Sequence, residues 1–108
     1  MRQSKIRQII VRTLSFSPKK VAEVEEFHFE YKLWLNKGES ITFAGIEIQE
    51  VGSKAKPTLK SEFDAGLKGT AVSVLLSGGE AGKAYRITCT IQTSDGRNEI
   101  TDGLLAVE

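Results

Sequence analysis

The stretch that decides the fold runs from residue 84 to residue 100 and reads AYRITCTIQTSDGRNEI. Its apolar residues alternate with polar ones, which is typical of a strand with one buried face. The buried positions are Tyr85, Ile87, Cys89 and Ile91. The pair Asp95-Gly96 follows, and this pair favours a tight turn between two strands. We therefore predict a hairpin with a two-residue turn, in which Ser94 lies opposite Arg97 and Ile91 opposite Ile100.

The same alternation recurs upstream, at residues 27–35, 40–51 and 72–76. In the first of these runs the odd positions from Phe27 to Leu35 form an inner face, so Trp34 is expected to point outward. Residues 36–39 then read as a turn. In residues 40–51 the apolar residues are odd-numbered before Ala44-Gly45 and even-numbered after it. This change predicts a β-bulge at Ala44-Gly45.

Other segments carry weaker patterns. Residues 54–57 are polar and contain a proline, so we expect a loop or a sheet edge there, followed by a short edge strand over residues 58–63 and a turn near residues 64–66. The first segment fits either a helix or a strand. We favour a strand over Val11–Phe16, ended by Pro18 and preceded by an arm. The domain division is then an arm over residues 1–10 and one folded domain over residues 11–108.

Length and composition agree with a single soluble-type domain. The chain has 108 residues, of which 40% are hydrophobic and 27% charged. Short strands about every ten residues, without a long helix, predict an all-β immunoglobulin-like β-sandwich of about seven antiparallel strands with a basic N-terminal arm. Tyr85 supports this prediction, because such sandwiches often place a tyrosine after the loop before the penultimate strand, where its hydroxyl bonds back to that loop. The single cysteine, Cys89, has no disulfide partner and reads as a small buried hydrophobe.

The charge is distributed unevenly along the chain. Residues 1–20 contain six cations and no acid, whereas residues 21–108 contain nine cations and fourteen acids. This asymmetry indicates either a solvated basic strand or an arm that meets a negative partner. The candidate partner contacts are Arg2, Lys5, Arg7, Arg12 and Trp34. Nucleic acid is an unlikely partner because the arm lacks stacking aromatic residues. A membrane span is not expected. Residues 1–18 also have the composition of a mitochondrial presequence, which is an alternative interpretation of this segment.

No catalytic constellation emerges from the residue pattern. Residues 77–84 resemble a phosphate-binding loop, but Ser77 and Ala84 occupy positions that would need glycine and a hydroxyl residue. His28 shares an outward face with Glu26 and Glu30, without a second histidine to complete a metal site. We expect no enzyme activity, no metal, no cofactor and no small-molecule substrate. Trp34 either caps the core or contributes to a contact with another subunit.

Two segments resemble a known group of proteins. Residues 72–99 contain a strand–loop–strand of the pattern V-x-L-S-G-G-x-x-G-x-x-Y and a hairpin of the pattern T-S-x-G-R-x-E. Residues 31–41 are similar to the same group's segment W-L…G-D-x-I, with Glu39 in place of the aspartate. Over residues 27–107 the chain therefore resembles small bacteriophage tail proteins described as fibre–tail adaptors.

The resemblance implies a function without catalytic residues. Proteins of this group have an immunoglobulin-like fold and sit in virions as several copies around the tail. The expected role is a virion structural protein of the tail, made in the bacterial cytoplasm, that acts as an adaptor or completion subunit and contacts other tail proteins in a ring. The alternative is an immunoglobulin-like recognition module that binds a sugar or a surface protein.

Overall fold

Eight strands form two sheets in the computed structural model, which describes residues 14–62 and 66–108. The strands are β1 (Leu14–Ser15), β2 (Glu25–Glu30), β3 (Ile41–Glu50), β4 (Leu59–Ser61), β5 (Gly66–Lys68), β6 (Ala71–Gly78), β7 (Ala84–Thr93) and β8 (Asn98–Ala106). The first sheet has the order β1-β8-β7-β3, and the second has the order β2-β6-β4, with β5 also paired to β6. No helix occurs within these two ranges. The prediction of an all-β sandwich is confirmed.

Seven of these strands pair antiparallel, and β1 alone pairs parallel, with β8. The strand order β2-β6-β4 in the second sheet is the same as the order B-E-D in immunoglobulin domains. The order β3-β7-β8 in the first sheet is the same as the order C-F-G. The loop over residues 79–83 connects β6 of one sheet to β7 of the other and is followed by a strand, not by the helix that a phosphate-binding loop would open.

The core lies between the two sheets and draws on both. The inward apolar residues of β7 are fully buried, together with Val72, Val74 and Leu76 of β6. Phe16 closes one open side of the sandwich, because its ring makes edge contacts with Phe27 and Phe29 at 5.2 and 5.4 Å. In β7 the alternation seen in the sequence is therefore the alternation of core and surface, whereas in β6 the intervening Ser73 and Ser77 are buried as well.

Tyr85 occupies the position predicted for it. Its side chain is fully buried, and its hydroxyl accepts a 2.8 Å hydrogen bond from the backbone N–H of Glu80 in the preceding loop. A second bond of 2.9 Å joins this hydroxyl to Thr58. Cys89 is also fully buried and unpaired, as predicted.

The strand predicted over residues 27–35 is wrong in its second half. β2 ends at Glu30, and the backbone N–H groups of Trp34 and Leu35 both donate to the carbonyl of Tyr31 at 2.9 Å. Because the backbone turns here, the alternation of inward and outward side chains in β2 does not continue through residues 31–35. As a result Leu33, expected inside, is 89% exposed, and Trp34, expected outside, is only 5% exposed.

The bulge in β3 lies earlier than predicted. The register shift falls between Ile41 and Phe43, not at Ala44-Gly45. Ile41 is buried and Phe43 is 52% exposed, so the extra residue turns Phe43 to the outer face. After the bulge the even-numbered Ile46 and Ile48 face the core, as the sequence pattern predicts.

The β7–β8 hairpin differs from its prediction by one residue. Thr93 N–H bonds to Arg97 O at 2.9 Å, and Gly96 N–H bonds to Thr93 O at 3.0 Å, so the loop has three residues. Gly96 has a φ of 82°, which fits a type I turn closed by a glycine bulge. Ile91 consequently lies opposite Glu99, and Ile100 lies on the outer face with 61% exposure.

The beginning of the chain is described only in part. Of the strand predicted over Val11–Phe16, the structure shows Leu14–Ser15 beside β8, and residues 1–13 lie outside the described residues. Arg2, Lys5, Arg7 and Arg12 are among them. The edge strand predicted over residues 58–63 is present as β4, while residues 63–65 are not described.

Lys19 is one of the six cations among residues 1–20, but it is fully buried. Its Nζ donates to the backbone carbonyls of Lys20, Val21 and Gly78 at 2.8, 3.2 and 2.8 Å. Its backbone bonds to Ala106 and Glu108 at the end of β8. Lys19 thus fixes the chain before β2 to both sheets and is not available to an outside partner.

Candidate functional site

The two segments that carry the family resemblance meet at one end of the sandwich. The residues of this loop end are 31–40, 69–70 and 94–97. Tyr31 N–H bonds to Thr70 O at 3.0 Å, and Ser94 N–H bonds to Ser40 O at 2.8 Å, so the three loops are joined by their backbones. The loop end therefore forms one connected surface.

A buried ion pair fixes this surface from within. The Glu39 side chain has no exposed area and lies against Arg97, which donates from Nε to Oε2 at 2.9 Å and from Nη2 to Oε1. Thr93 Oγ1 and the backbone N–H of Asn36 also donate to this carboxylate, at 2.5 and 2.8 Å. The bonds from Arg97 lower the pKa of Glu39 to about 2, against the opposing effect of burial. The carboxylate is therefore a structural anion and not an acid–base group.

Trp34 lies directly beneath Arg97. The guanidinium carbon is 3.8 Å from the centre of the indole, and Nη2 donates to the Trp34 carbonyl at 3.1 Å. The indole also makes an edge contact with Tyr31 at 6.2 Å. Of the two roles considered for Trp34, this geometry is that of a cap on the core, since the chain itself covers the ring. An indole held in this way offers no platform for a sugar.

The loop end presents an apolar side chain to solvent. Leu33 is 89% exposed at the tip of the turn between β2 and β3, while its neighbours Tyr31 and Trp34 are buried. The turn is held on both sides, because Lys32 N–H and Thr70 Oγ1 donate to Glu30 Oε2 at 2.9 and 2.5 Å. A rigid loop with an exposed leucine is suited to contact with another protein.

The outer face of the first sheet carries further exposed apolar residues. Phe43 on β3 and Ile100 on β8 are 52% and 61% exposed, and both face away from the core. A groove of about 310 Å³ lies beside the last third of β3, lined by residues 47–49, residues 54–57 and Thr88. Its walls contain Lys54, Lys56 and Glu47.

The outward face of β2 has the arrangement predicted for it. His28 Nε2 lies 3.2 Å from Glu26 Oε1, and both side chains are partly exposed. In the part of the chain that the structure describes, no three histidine, cysteine, aspartate or glutamate side chains are grouped to hold a metal ion. Nor does that part contain a helix that is long and apolar enough to cross a membrane.

Most of the sandwich matches one known protein family. Residues 19–105 match the family of the podophage GP4 fiber-tail adaptor protein gp77. The chain belongs to this family. The matched range begins at the buried Lys19 and includes the whole of β2 to β7 and nearly all of β8. No curated protein matches the chain.

Membership in the fiber-tail adaptor family indicates a structural role in the phage tail. Residues 1–18, and with them Arg2, Lys5, Arg7 and Arg12, lie outside the matched range. The Glu39–Arg97 pair was missed by sequence reasoning as a unit, although each residue stood in one of the two resembling motifs. Their opposite charges in segments that flank the same end of a sandwich were the available signal.

Proposed function

We propose that this chain is a subunit of a podophage tail that joins the tail to its fibres through protein–protein contacts. The observation that carries the proposal is the family match over residues 19–105. The structure supports it with a rigid loop end whose apolar tip, Leu33, is 89% exposed. The subunit works by binding alone and performs no catalysis.

In this role several copies stand around the tail axis and contact one another and the neighbouring tail proteins. The protein is made in the bacterial cytoplasm and ends in the virion. The arm over residues 1–10 supplies Arg2, Lys5 and Arg7 for contact with an acidic neighbour, which is reasonable because residues 21–108 have an excess of five acids. Cyclic symmetry would repeat each such contact around the ring.

Mass spectrometry of purified particles tests the proposal. We expect the protein in intact particles at a fixed ratio to other tail proteins. A protein that is abundant in the lysate and absent from particles would contradict the structural role and favour a recognition module.

Deletion of residues 1–10 tests the arm separately. We expect the truncated protein to fold and to enter particles poorly, because its basic contact is lost. Unchanged incorporation of the truncated protein would show that the arm has no role in assembly.

A further inference from the structure

Leu33 has the highest exposure among the large apolar side chains that the structure describes, at 89%. The fold gives no reason for a leucine at this position, because the hydrogen bonds of the turn use backbone groups and its side chain adds almost nothing to the core. A single exposed apolar residue is common on soluble proteins. The surroundings of Leu33 therefore decide whether it marks a binding surface.

The backbone on both sides of Leu33 is fixed. The N–H of Lys32 donates to Glu30 Oε2 at 2.9 Å, and the carbonyl of Trp34 accepts a bond of 3.1 Å from Arg97. The Trp34 side chain is itself buried at 5% exposure. The turn thus holds Leu33 away from the core before any partner arrives. A contact made by a preorganised side chain loses little affinity to ordering.

The apolar surface continues onto the outer face of the first sheet. Phe43 and Ile100 lie close to the loop end, near the beginnings of β3 and β8, and are 52% and 61% exposed. Thr90 on β7 lies opposite Gly45 on one side and Ile100 on the other, and a Cβ at Gly45 would lie 3.5 Å from the Phe43 ring. Phe43 and Ile100 therefore flank Thr90, and Leu33 is accompanied by further apolar surface at the same end.

The charges of the loop end indicate what kind of pocket could receive this leucine. Its exposed charged side chains are Lys32, Lys37 and Asp95. The charge of Arg97 is balanced by Glu39, whose side chain has no exposed area. The surface around Leu33 therefore has an excess of positive charge. An apolar pocket with acidic residues at its rim is complementary to it.

The groove beside β3 is not such a pocket. It has a volume of about 310 Å³, but Lys54 and Lys56 stand in its wall. In a contact between two copies of the chain, these lysines would meet Lys32 and Lys37 of the other copy. This repulsion favours a different protein over a second copy.

We propose that Leu33 inserts into an apolar, acid-rimmed pocket on another protein of the phage tail, and that Phe43 and Ile100 extend the same contact. The proposal rests on the proposed function and deepens it, because it names the surface that docks and the chemistry of the partner. A few well-placed apolar side chains at the centre of an interface supply most of its binding free energy.

Competition between two forms of the protein during assembly tests the contact. Infected cells carry a plasmid copy with Leu33→Asp beside the wild-type copy of the phage, and mass spectrometry gives the ratio of the two forms in the lysate and in purified particles. We expect this ratio to be at least tenfold lower in the particles, because the carboxylate is excluded by an apolar pocket and repelled by its rim. The matched control is Val24→Asp, at a 56% exposed position before β2, at the end of that strand away from the loop end. It should enter particles at its lysate ratio.

Further variants separate the parts of the proposal. Leu33→Gln removes the apolar contact without a charge and serves if aspartate destabilises the turn, which thermal unfolding detects. Ile100→Asp should also enter particles poorly. Lys37→Glu should lower incorporation more than Lys54→Glu, an exposed lysine of the loop after β3. Lys37 is preferred to Lys32 here because the charge of Lys32 also acts on Glu30.

Three results would overturn the proposal. They are incorporation of folded Leu33→Asp at its lysate ratio, an equal loss with Val24→Asp, and equal incorporation of Lys37→Glu and Lys54→Glu. A fourth is a purified wild-type oligomer that Leu33→Asp dissociates, since the occupant would then be a second copy. Absence of the wild-type protein from particles is a different result, because it contradicts the proposed function itself.

Discussion

At the scale of single residues, the Glu39–Arg97 pair has the largest expected influence on stability. The carboxylate has no exposed area, whereas the Arg97 side chain is 31% exposed. Removing one partner of a buried pair leaves a charge without compensation, which costs more than the pair contributed. The same guanidinium covers Trp34, so its loss also opens the cap of the core.

Arg97→Ala is therefore expected to lower the free energy of unfolding by about 3 kcal/mol, measured by chemical denaturation. Arg86→Ala is the matched control, because Arg86 lies on the outer face, 4.0 Å from Asp102, and both side chains are more than one third exposed. An exposed pair of this kind contributes less than about 1 kcal/mol. Equal losses in the two variants would contradict the assigned role of Arg97.

The same pair makes stability depend on acid pH. Since the pKa of Glu39 is lowered from 4.5 to about 2, its contribution is present above pH 4.5 and is lost as the pH falls toward 2. We expect denaturation midpoints of the wild type to fall across this range. Glu39→Gln should show a shallower fall, because the amide does not titrate; an identical fall would assign the acid sensitivity to other groups.

At the scale of elements, the contact of β1 with β8 depends on Gly103, which has no side chain. A Cβ added at Gly103 would lie 2.3 Å from Cε2 of Phe16, whose ring closes one side of the sandwich. Glycine at this position of β8 is therefore required by the close approach of an aromatic ring and not by a turn. Any side chain here must displace Phe16 or β1.

Gly103→Ala is expected to destabilise the protein by about 1–3 kcal/mol, measured by thermal and chemical unfolding, because overpacking moves the ring. Gly45→Ala in β3 is the control, since its Cβ would meet only the ring of Phe43 at an ordinary 3.5 Å. Adding Phe16→Leu should recover part of the loss at Gly103. Similar effects of the two alanines would show that Phe16 adapts freely.

The elements also show how far sequence reasoning reaches. The alternation in β7 identified a buried strand, because the burial of its residues follows the same period of two. In β6 the alternation identified the core face, although most residues of the other face are buried as well. Prediction failed where local hydrogen bonds override periodicity. The carbonyl of Tyr31 ends one strand by accepting two backbone bonds, and the glycine bulge at Gly96 moves the hairpin register by one residue. The Glu39–Arg97 contact joins segments 58 residues apart, a distance that no local pattern encodes.

At the scale of the whole molecule, the two sheets share one core. The buried side chains of β2, β6, β7 and β8 form one cluster, which Phe16 and the inner residues of β3 complete. The central strand β7 contributes four fully buried residues to it. We therefore expect the domain to unfold as a single cooperative unit.

Cys89 is a reporter for this cooperativity. It is fully buried on β7, and burial also raises the pKa of its thiol, so it should react with a thiol reagent only after global opening. We expect the labelling rate to rise with denaturant in step with the unfolding seen by Trp34 fluorescence. Labelling in native buffer at a rate that denaturant does not change would show local opening of this part of the sandwich.

The parallel contact at the chain's beginning has a mechanical consequence. Phe16, Lys19 and Val21 donate backbone bonds to Leu104, Ala106 and Glu108 at 2.9, 3.0 and 3.3 Å. Because the two segments run in the same direction, tension applied between the chain before Leu14 and the end of β8 loads these bonds in shear. They must then break together, and not one after another as in a zipper. A subunit pulled between a neighbour at its arm and the rest of the particle would resist force along that line.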